Sequence, residues 1–206
     1  MNRSHTALFY GTLMHPKILT RVIGNDGSHL QLAPAILLDH TRHKVKCADY
    51  PGVIPFTLSE RLFGSVLSEE DRCVRGMLVT GLTDLDIELL DVFEGSEYLR
   101  QEIQAHPLTE FRDITAHTVD ESSLPQHPPP LPPRDDLPPP IPAETYIYVC
   151  DKDLEAELWS YEDFVRQNAW KWYTSTADHR PDIAEVDKLR AEHQRRQDKV
   201  VEMAPL

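Results

Sequence analysis

Apolar residues recur at helical spacing between Leu85 and Phe93, and the rest of the chain is best read outward from there. Leu85, Leu89 and Val92/Phe93 mark one face, and Ile87 and Leu90 widen it. Thr83-Asp84-Leu85-Asp86 is a helix start, with a capping threonine and a carboxylate three residues on, and Gly95 is placed to end the helix in a left-handed cap. Upstream, Thr6 to Tyr10 is a short apolar and aromatic strand. Pro16 suits the first turn of a helix over Lys17 to Ile23, closed at Gly24. Between Leu32 and Val79 the spacing predicts mostly strand: Ala35 to Leu38, the alternating Lys44 to Ala48, Val53-Ile54-Pro55 after the turn Asp49-Tyr50-Pro51-Gly52, and Cys73 to Val79. Within that last strand Gly76 marks a close backbone approach. Residues Ser59 to Glu70 give no usable periodicity.

Beyond the central helix, Tyr98 to Ala105 alternates as a strand and Arg112 to Val119 extends as a partner for it. Pro125 to Pro142 then holds ten prolines in eighteen residues, which excludes helix and central strand. Ala143 to Cys150 resumes as a strand, so the proline tract is read as an insertion between two strands. Asp151 or Asp153 is the expected cap of a helix running through Trp159, Phe164 and Trp170. Ile183 to Val201 is highly charged with sparse apolar positions, which predicts a surface helix that packs weakly or frays. The expected organisation is a domain over residues 1–173, with the insertion at about 125–142, and a charged helical tail over 174–206.

The 206 residues are enough for one filled core, and the net charge of −13 argues against non-specific binding to nucleic acid or to an anionic membrane surface. No apolar run reaches membrane-spanning length. Cys47, Cys73 and Cys150 lie far apart, with no spacing for zinc or a disulfide framework. The ten histidines, His40 and His43 included, gather no ligand cluster. A reduced cytoplasmic protein with no metal and no cofactor is expected.

Two stretches carry candidate chemistry. Glu94 is the last helical residue, at the edge of the apolar stripe. Partial burial and the negative end of the helix dipole both disfavour its charged form, which raises its pKa toward what a general base needs near neutral pH. The alternative for an isolated glutamate there is a solvated helix end. Gly11-Thr12-Leu13 joins a strand to a helix with backbone N–H groups that have no obligatory partner, and such a loop can hold a carboxylate or a reacting carbonyl oxygen. Tyr50 and Tyr98 are pocket candidates, with plain packing as the other reading of each.

Tyr10-Gly11-Thr12-Leu13 together with Leu90-Asp91-Val92-Phe93-Glu94-Gly95-Ser96-Glu97-Tyr98-Leu99-Arg100 resembles the AIG2-like branch of the gamma-glutamylcyclotransferase superfamily. Asp49-Tyr50-Pro51 and Glu144-Thr145-Tyr146 add to the likeness, which covers roughly Ala7 to Tyr161. The resemblance implies an α+β fold, a mixed β-barrel with flanking helices and a cavity at one mouth. It further implies an acyltransferase that cyclises a γ-glutamyl amide or peptide to 5-oxoproline with release of an amine or amino acid. In that reading Glu94 is the catalytic acid/base, and Tyr10, Gly11, Thr12, Leu13 and Tyr98 bind the small-molecule γ-glutamyl substrate. Two other readings stay open. One is a non-catalytic γ-glutamyl or carboxylate-binding module. The other is an interaction protein presenting Pro129, Pro132 and Arg134, a proline-x-x-proline-x-basic run, to an SH3-type domain.

Overall fold

The computed structural model describes residues 4–114, 130–174 and 180–203. Its frame is a five-stranded closed barrel made from β1 (His5–Phe9), β2 (Gln31–Leu38), β5 (Cys73–Leu82), β6 (Tyr98–Pro107) and β8 (Ile141–Tyr148). The strand order is β5-β1-β8-β6-β2, and β2 pairs back onto β5 along its whole length, from Gln31 opposite Thr80 to Leu38 opposite Cys73. Only the β1–β8 pair is parallel, which makes the barrel mixed. A smaller sheet of β4 (Pro51–Pro55), β3 (His40–Val45) and β9 (Leu154–Leu158) lies beside it, and the two-residue β7 (Arg112–Asp113) edges β2. The α+β barrel expected from the resemblance is the fold observed.

Alternation along β1 divides the core. Leu8 and Tyr10 join Ala35, Leu37, Leu78, Ala105 and Ile147 in one cluster, while Ala7 and Phe9 face the helices. Those helices are α1 (Pro16–Ile23), α3 (Asp84–Glu94) and α6 (Pro181–Met203). Gly76 is the close approach read from the sequence: a Cβ there would lie 2.6 Å from the Phe9 carbonyl oxygen across the β1–β5 ladder.

Several expectations need correction. The stretch without periodicity contains a helix, α2 (Phe56–Phe63), whose only buried residue is Ser59; so little apolar burial leaves no stripe to read. β3 begins at His40 and ends at Val45, because Lys46 to Ala48 turn away, with Cys47 at φ 59. No helix starts at Asp151 or Asp153. Those residues form a 3₁₀ turn that enters β9, and the helix is α4 (Tyr161–Gln167), capped by the Ser160 hydroxyl accepting from the Asp163 N–H, followed by the short α5 (Trp170–Tyr173). Arg112–Asp113 pairs with β2 rather than β6, whose long partner is β8, and residues 115–119 of the expected strand lie outside the described residues. β8 already begins at Ile141 and takes in Pro142, so the last two residues of the proline tract are strand.

The largest correction concerns the C-terminal helix. Ile183 and Val186 of α6 are fully buried, packed beside α3 in the core cluster that α1 also joins. Arg21 of α1 makes a two-pronged pair with Asp187, both bonds 2.8 Å, and the Arg190 guanidinium donates to the carbonyls of Arg21 and Val22 at the end of α1. Ile183, Val186 and the partly buried Leu189 share one stripe, and Asp187 and Arg190 beside it are tied to α1, so this part of α6 belongs to the body.

Candidate functional site

The barrel mouth holds a cavity of about 510 Å³ bounded by the loop after β1, the end of α3, the start of β6 and the start of α6. Tyr10 is buried, and its hydroxyl donates to the Tyr146 carbonyl. The half-buried Arg42 side chain reaches across to donate to the Tyr10 carbonyl at 2.8 Å and the Arg75 carbonyl at 3.2 Å, fixing where the loop leaves the strand. Burial pulls that guanidinium down to about 10. Gly11 packs so closely on Pro51 that a Cβ would lie 2.9 Å from its ring, which explains a glycine there without invoking unusual torsions. Thr12–Met14 form a single 3₁₀ turn, with the Met14 N–H on the Gly11 carbonyl. The N–H groups of Gly11, Thr12 and Leu13 donate to no other backbone group among the described residues.

Opposite the loop, α3 ends at Glu94. Gly95 takes a positive φ of 66°, but with ψ −160°, so the chain leaves in an extended direction and not through the left-handed helical cap expected; its N–H still closes on the Asp91 carbonyl. Glu94 is half-buried at the cavity wall, and no hydrogen bond reaches its carboxyl from the described residues. Burial, then the negative charge of Asp182, then that of Asp91, push its pKa up to about 8. The sequence anticipated the direction from burial and the helix dipole, while the Asp182 contribution lay beyond it. Tyr10, Tyr98 and Tyr146 all feel the Glu94 charge, and with burial as the main cause their phenols are held protonated well above the usual range.

Tyr98 lines the cavity and donates to the Pro51 carbonyl at 2.8 Å. Tyr50 lines it too, and donates to Glu97 at 2.9 Å. The structure thus brings together all six site residues named from the sequence: Glu94, Tyr10, Gly11, Thr12, Leu13 and Tyr98. Within the same stretch, Asp91 has a different job. It accepts from Arg100 at 2.9 and 3.2 Å and from the Tyr146 hydroxyl at 2.8 Å, and Arg100 also donates to Glu144. The spaced Asp and Arg therefore close on each other and lock the end of α3 to β6 and β8.

The sequence reading missed the far wall, made by Trp172, Arg180, Asp182 and Glu185. A proline at the first helical position followed by Asp182 was the available signal of a helix start, but nothing in the sequence aimed it at the cavity. Among the described residues no group of three or more metal-ligating side chains converges, and no helix is long and apolar enough to cross a membrane. Of the proline-x-x-proline-x-basic run, Pro129 lies outside the described residues. Arg134 pairs with Asp39 at 3.0 Å, so the basic position is already engaged with the barrel.

Residues 7–171 match the family model for gamma-glutamyl cyclotransferase, AIG2-like. The chain belongs to that family. The match runs ten residues past the likeness read from the sequence and stops before α6. Among curated relatives, Protein AIG2 B of Arabidopsis thaliana is 28% identical over 101 residues, 49% of this chain and 50% of that protein. AIG2-like protein D of the same plant is 30% identical over 100 residues, 48% of this chain and 55% of that protein. The chain thus spans about half the length of the curated relatives it matches. A solution structure of an Arabidopsis thaliana protein superposes with a TM-score of 0.50 at 20% identity, covering 85% of this chain and 81% of that one, and shares this fold.

Proposed function

We propose that this family member is a cytoplasmic, cofactor-free acyltransferase that cyclises a γ-glutamyl amide or peptide to 5-oxoproline, releasing an amine or amino acid. The observation that carries the reading is Glu94: a carboxyl without a hydrogen-bond partner among the described residues, its pKa pushed up to about 8, on the wall of a cavity that Gly11, Thr12 and Leu13 also line.

The chemistry asks for three things. The substrate's α-ammonium must lose a proton, its nitrogen must reach the γ-carbonyl carbon, and the departing amine must gain a proton. Deprotonated Glu94 takes the first proton. The freed nitrogen forms the new C–N bond within the same molecule, so the cavity has only to hold the substrate folded. The carbonyl oxygen becomes an oxyanion, and the N–H groups of Gly11, Thr12 and Leu13 are the donors on hand for it or for the α-carboxylate. Protonated Glu94 gives that proton to the departing nitrogen, then takes the second proton from the ring nitrogen. As the amide C–N bond breaks and the carbonyl re-forms, that proton goes to the released amine, which leaves as an ammonium and returns Glu94 to its carboxylate. Tyr10 and Tyr98, kept protonated, shape the pocket around the glutamyl part without adding charge.

The test is a panel of γ-glutamyl compounds assayed for 5-oxoproline. At least one should turn over, and its N-acetylated counterpart, whose amine cannot attack, should not. Turnover of the blocked compound would replace cyclisation by attack of water or a side chain.

A further inference from the structure

Two carboxylates of separate origin face the cavity from different elements. Glu94 ends α3, inside the family match. Asp182 begins α6, outside it. Glu94 has no hydrogen-bonding partner among the described residues, and Asp182 accepts a long hydrogen bond, 3.5 Å, from Arg180. Arg180 itself is spoken for: its guanidinium lies 3.4 Å from the centroid of the Trp172 ring and 4.0 Å from Asp49, which accepts from the Trp172 indole.

The groups that face Glu94 leave its charge uncompensated. On α3, Asp91 is tied to Arg100 and adds repulsion. From the loop after β1 and from β6 and β8 come the phenols of Tyr10, Tyr98 and Tyr146, each donating to another acceptor. From α6 come Asp182 and, a turn further on, the exposed Glu185, while Glu97 is taken by Tyr50. Asp182 is also the largest charge effect on Glu94. The two acids repel each other across the cavity. Arg180, the cation that lines it among the described residues, is shared between Trp172, Asp49 and a long 3.5 Å pair with Asp182, so a ligand cation between the acids relieves them.

We propose that Asp182 is a second substrate-binding carboxylate of this site, flanking with Glu94 the position of the substrate's α-ammonium. The proposal rests on the γ-glutamyl reading above and adds a residue to it. When the ammonium gives a proton to Glu94, the Asp182 side chain holds the amine toward the γ-carbonyl.

Carboxyl-labelled glutamate NMR, with Glu94→Gln for assignment, reads the titration midpoint of Glu94 and needs no turnover. Asp182→Asn is expected to lower that midpoint by about one pH unit. Asp187→Asn, on the same helix but turned to Arg21, should leave it in place while loosening α6. Calorimetry with γ-glutamyl anilide and glutaryl anilide, which differ only in the α-amine, reads the ammonium. Asp182→Asn should weaken the γ-glutamyl compound about tenfold and the glutaryl compound by less than about twofold. An unmoved midpoint, equal weakening of the two anilides, or a wild-type protein that does not prefer the γ-glutamyl one overturns the proposal. Absence of 5-oxoproline from every γ-glutamyl compound overturns instead the catalytic reading, and the midpoint and the anilide pair still decide on Asp182.

Discussion

The two ends of α3 carry carboxylates with opposite fates. At the N-terminal end Asp86 is 2% exposed and surrounded by hydrogen-bond donors. It accepts from the Thr83 N–H at 2.9 Å, the Thr83 hydroxyl at 2.8 Å and the Asn25 amide at 3.2 Å, pairs with His29 at 3.0 Å, and sits at the positive end of the helix dipole. At the C-terminal end Glu94 has the negative end of the dipole, two acidic neighbours and no donor. One acid is satisfied and holds the fold. The other is unsatisfied beside a cavity, the condition in which a carboxyl can exchange a proton with a ligand. Burial alone does not separate them; partners do.

The sharpest way to test that contrast is Glu94→Gln. The amide keeps size and polarity, so the helix end survives, but the proton acceptor is gone. Turnover of a γ-glutamyl substrate should fall by about 10²–10⁴-fold, the range for general acid–base work. Substrate affinity should fall much less, because the loop N–H groups remain; a loss in KM alone would assign Glu94 to binding only.

Asp86→Ala should do the reverse. It strands the donors that Asp86 satisfies and removes half of a capping box, which together cost about 3 kcal/mol. A chain of this size loses about 2–4 °C per kcal/mol, so the melting temperature should drop by about 6–12 °C while turnover per folded molecule holds. If activity collapsed without a thermal shift, the two ends of the helix would not be divided as argued.

The ends also differ in how pH acts through them. Glu94 binds its proton more tightly in the folded chain, near 8, than at its ordinary 4.5. Its contribution to stability is therefore fully present below about 4.5 and is lost as pH rises through 8, on the order of a few kcal/mol. Glu94→Gln should match the wild type at pH 4, where both side chains are neutral, and exceed it in thermal stability at pH 9. Turnover follows the opposite sign, because the base must be deprotonated: kcat/KM of the wild type should climb with pH to a midpoint near 8. A flat profile from pH 5 to 9 would place the titrating group elsewhere.

Much of this was legible in the sequence, for reasons that particular residues make plain. The α3 stripe, its Thr83 cap and the lone Glu94 are local, and helical periodicity reports local structure directly. The loop Gly11-Thr12-Leu13 was visible because a short strand and Pro16 bracket it. Gly76 announced a close approach, though only the register shows that Phe9 is what it meets. Closure of the barrel through the β2–β5 pairing has no local signature, since the strands are separated by β3, β4 and α2. The far wall failed to show for the same reason. Asp182 and Arg180 reach the cavity wall only because Ile183 and Val186 bury in the core beside α3, and charges elsewhere on α6 hid that stripe. Helix α4 was misplaced because Asp151 and Asp153 offer the same capping chemistry as Ser160, and β9 intervenes by pairing with the distant β3.

Glu97 supplies the finest test of the contrast, because it separates position from charge. It stands three residues after Glu94, lines the same cavity and carries the same carboxyl. It lies beyond Gly95, however, where the helix has ended and the side chain is exposed, and it accepts a hydrogen bond from the Tyr50 hydroxyl at 2.9 Å. Glu94, by contrast, is half-buried and has no donor among the described residues. Glu97→Gln preserves an acceptor for Tyr50 through the amide oxygen and removes only a solvated charge, so kcat should change by less than about threefold, under about 0.7 kcal/mol. Because the Tyr50 ring borders the pocket, the residual effect should fall on KM. A loss in kcat comparable to that of Glu94→Gln would mean that the cavity's net charge, and not the unsatisfied carboxyl at the helix end, sustains the reaction.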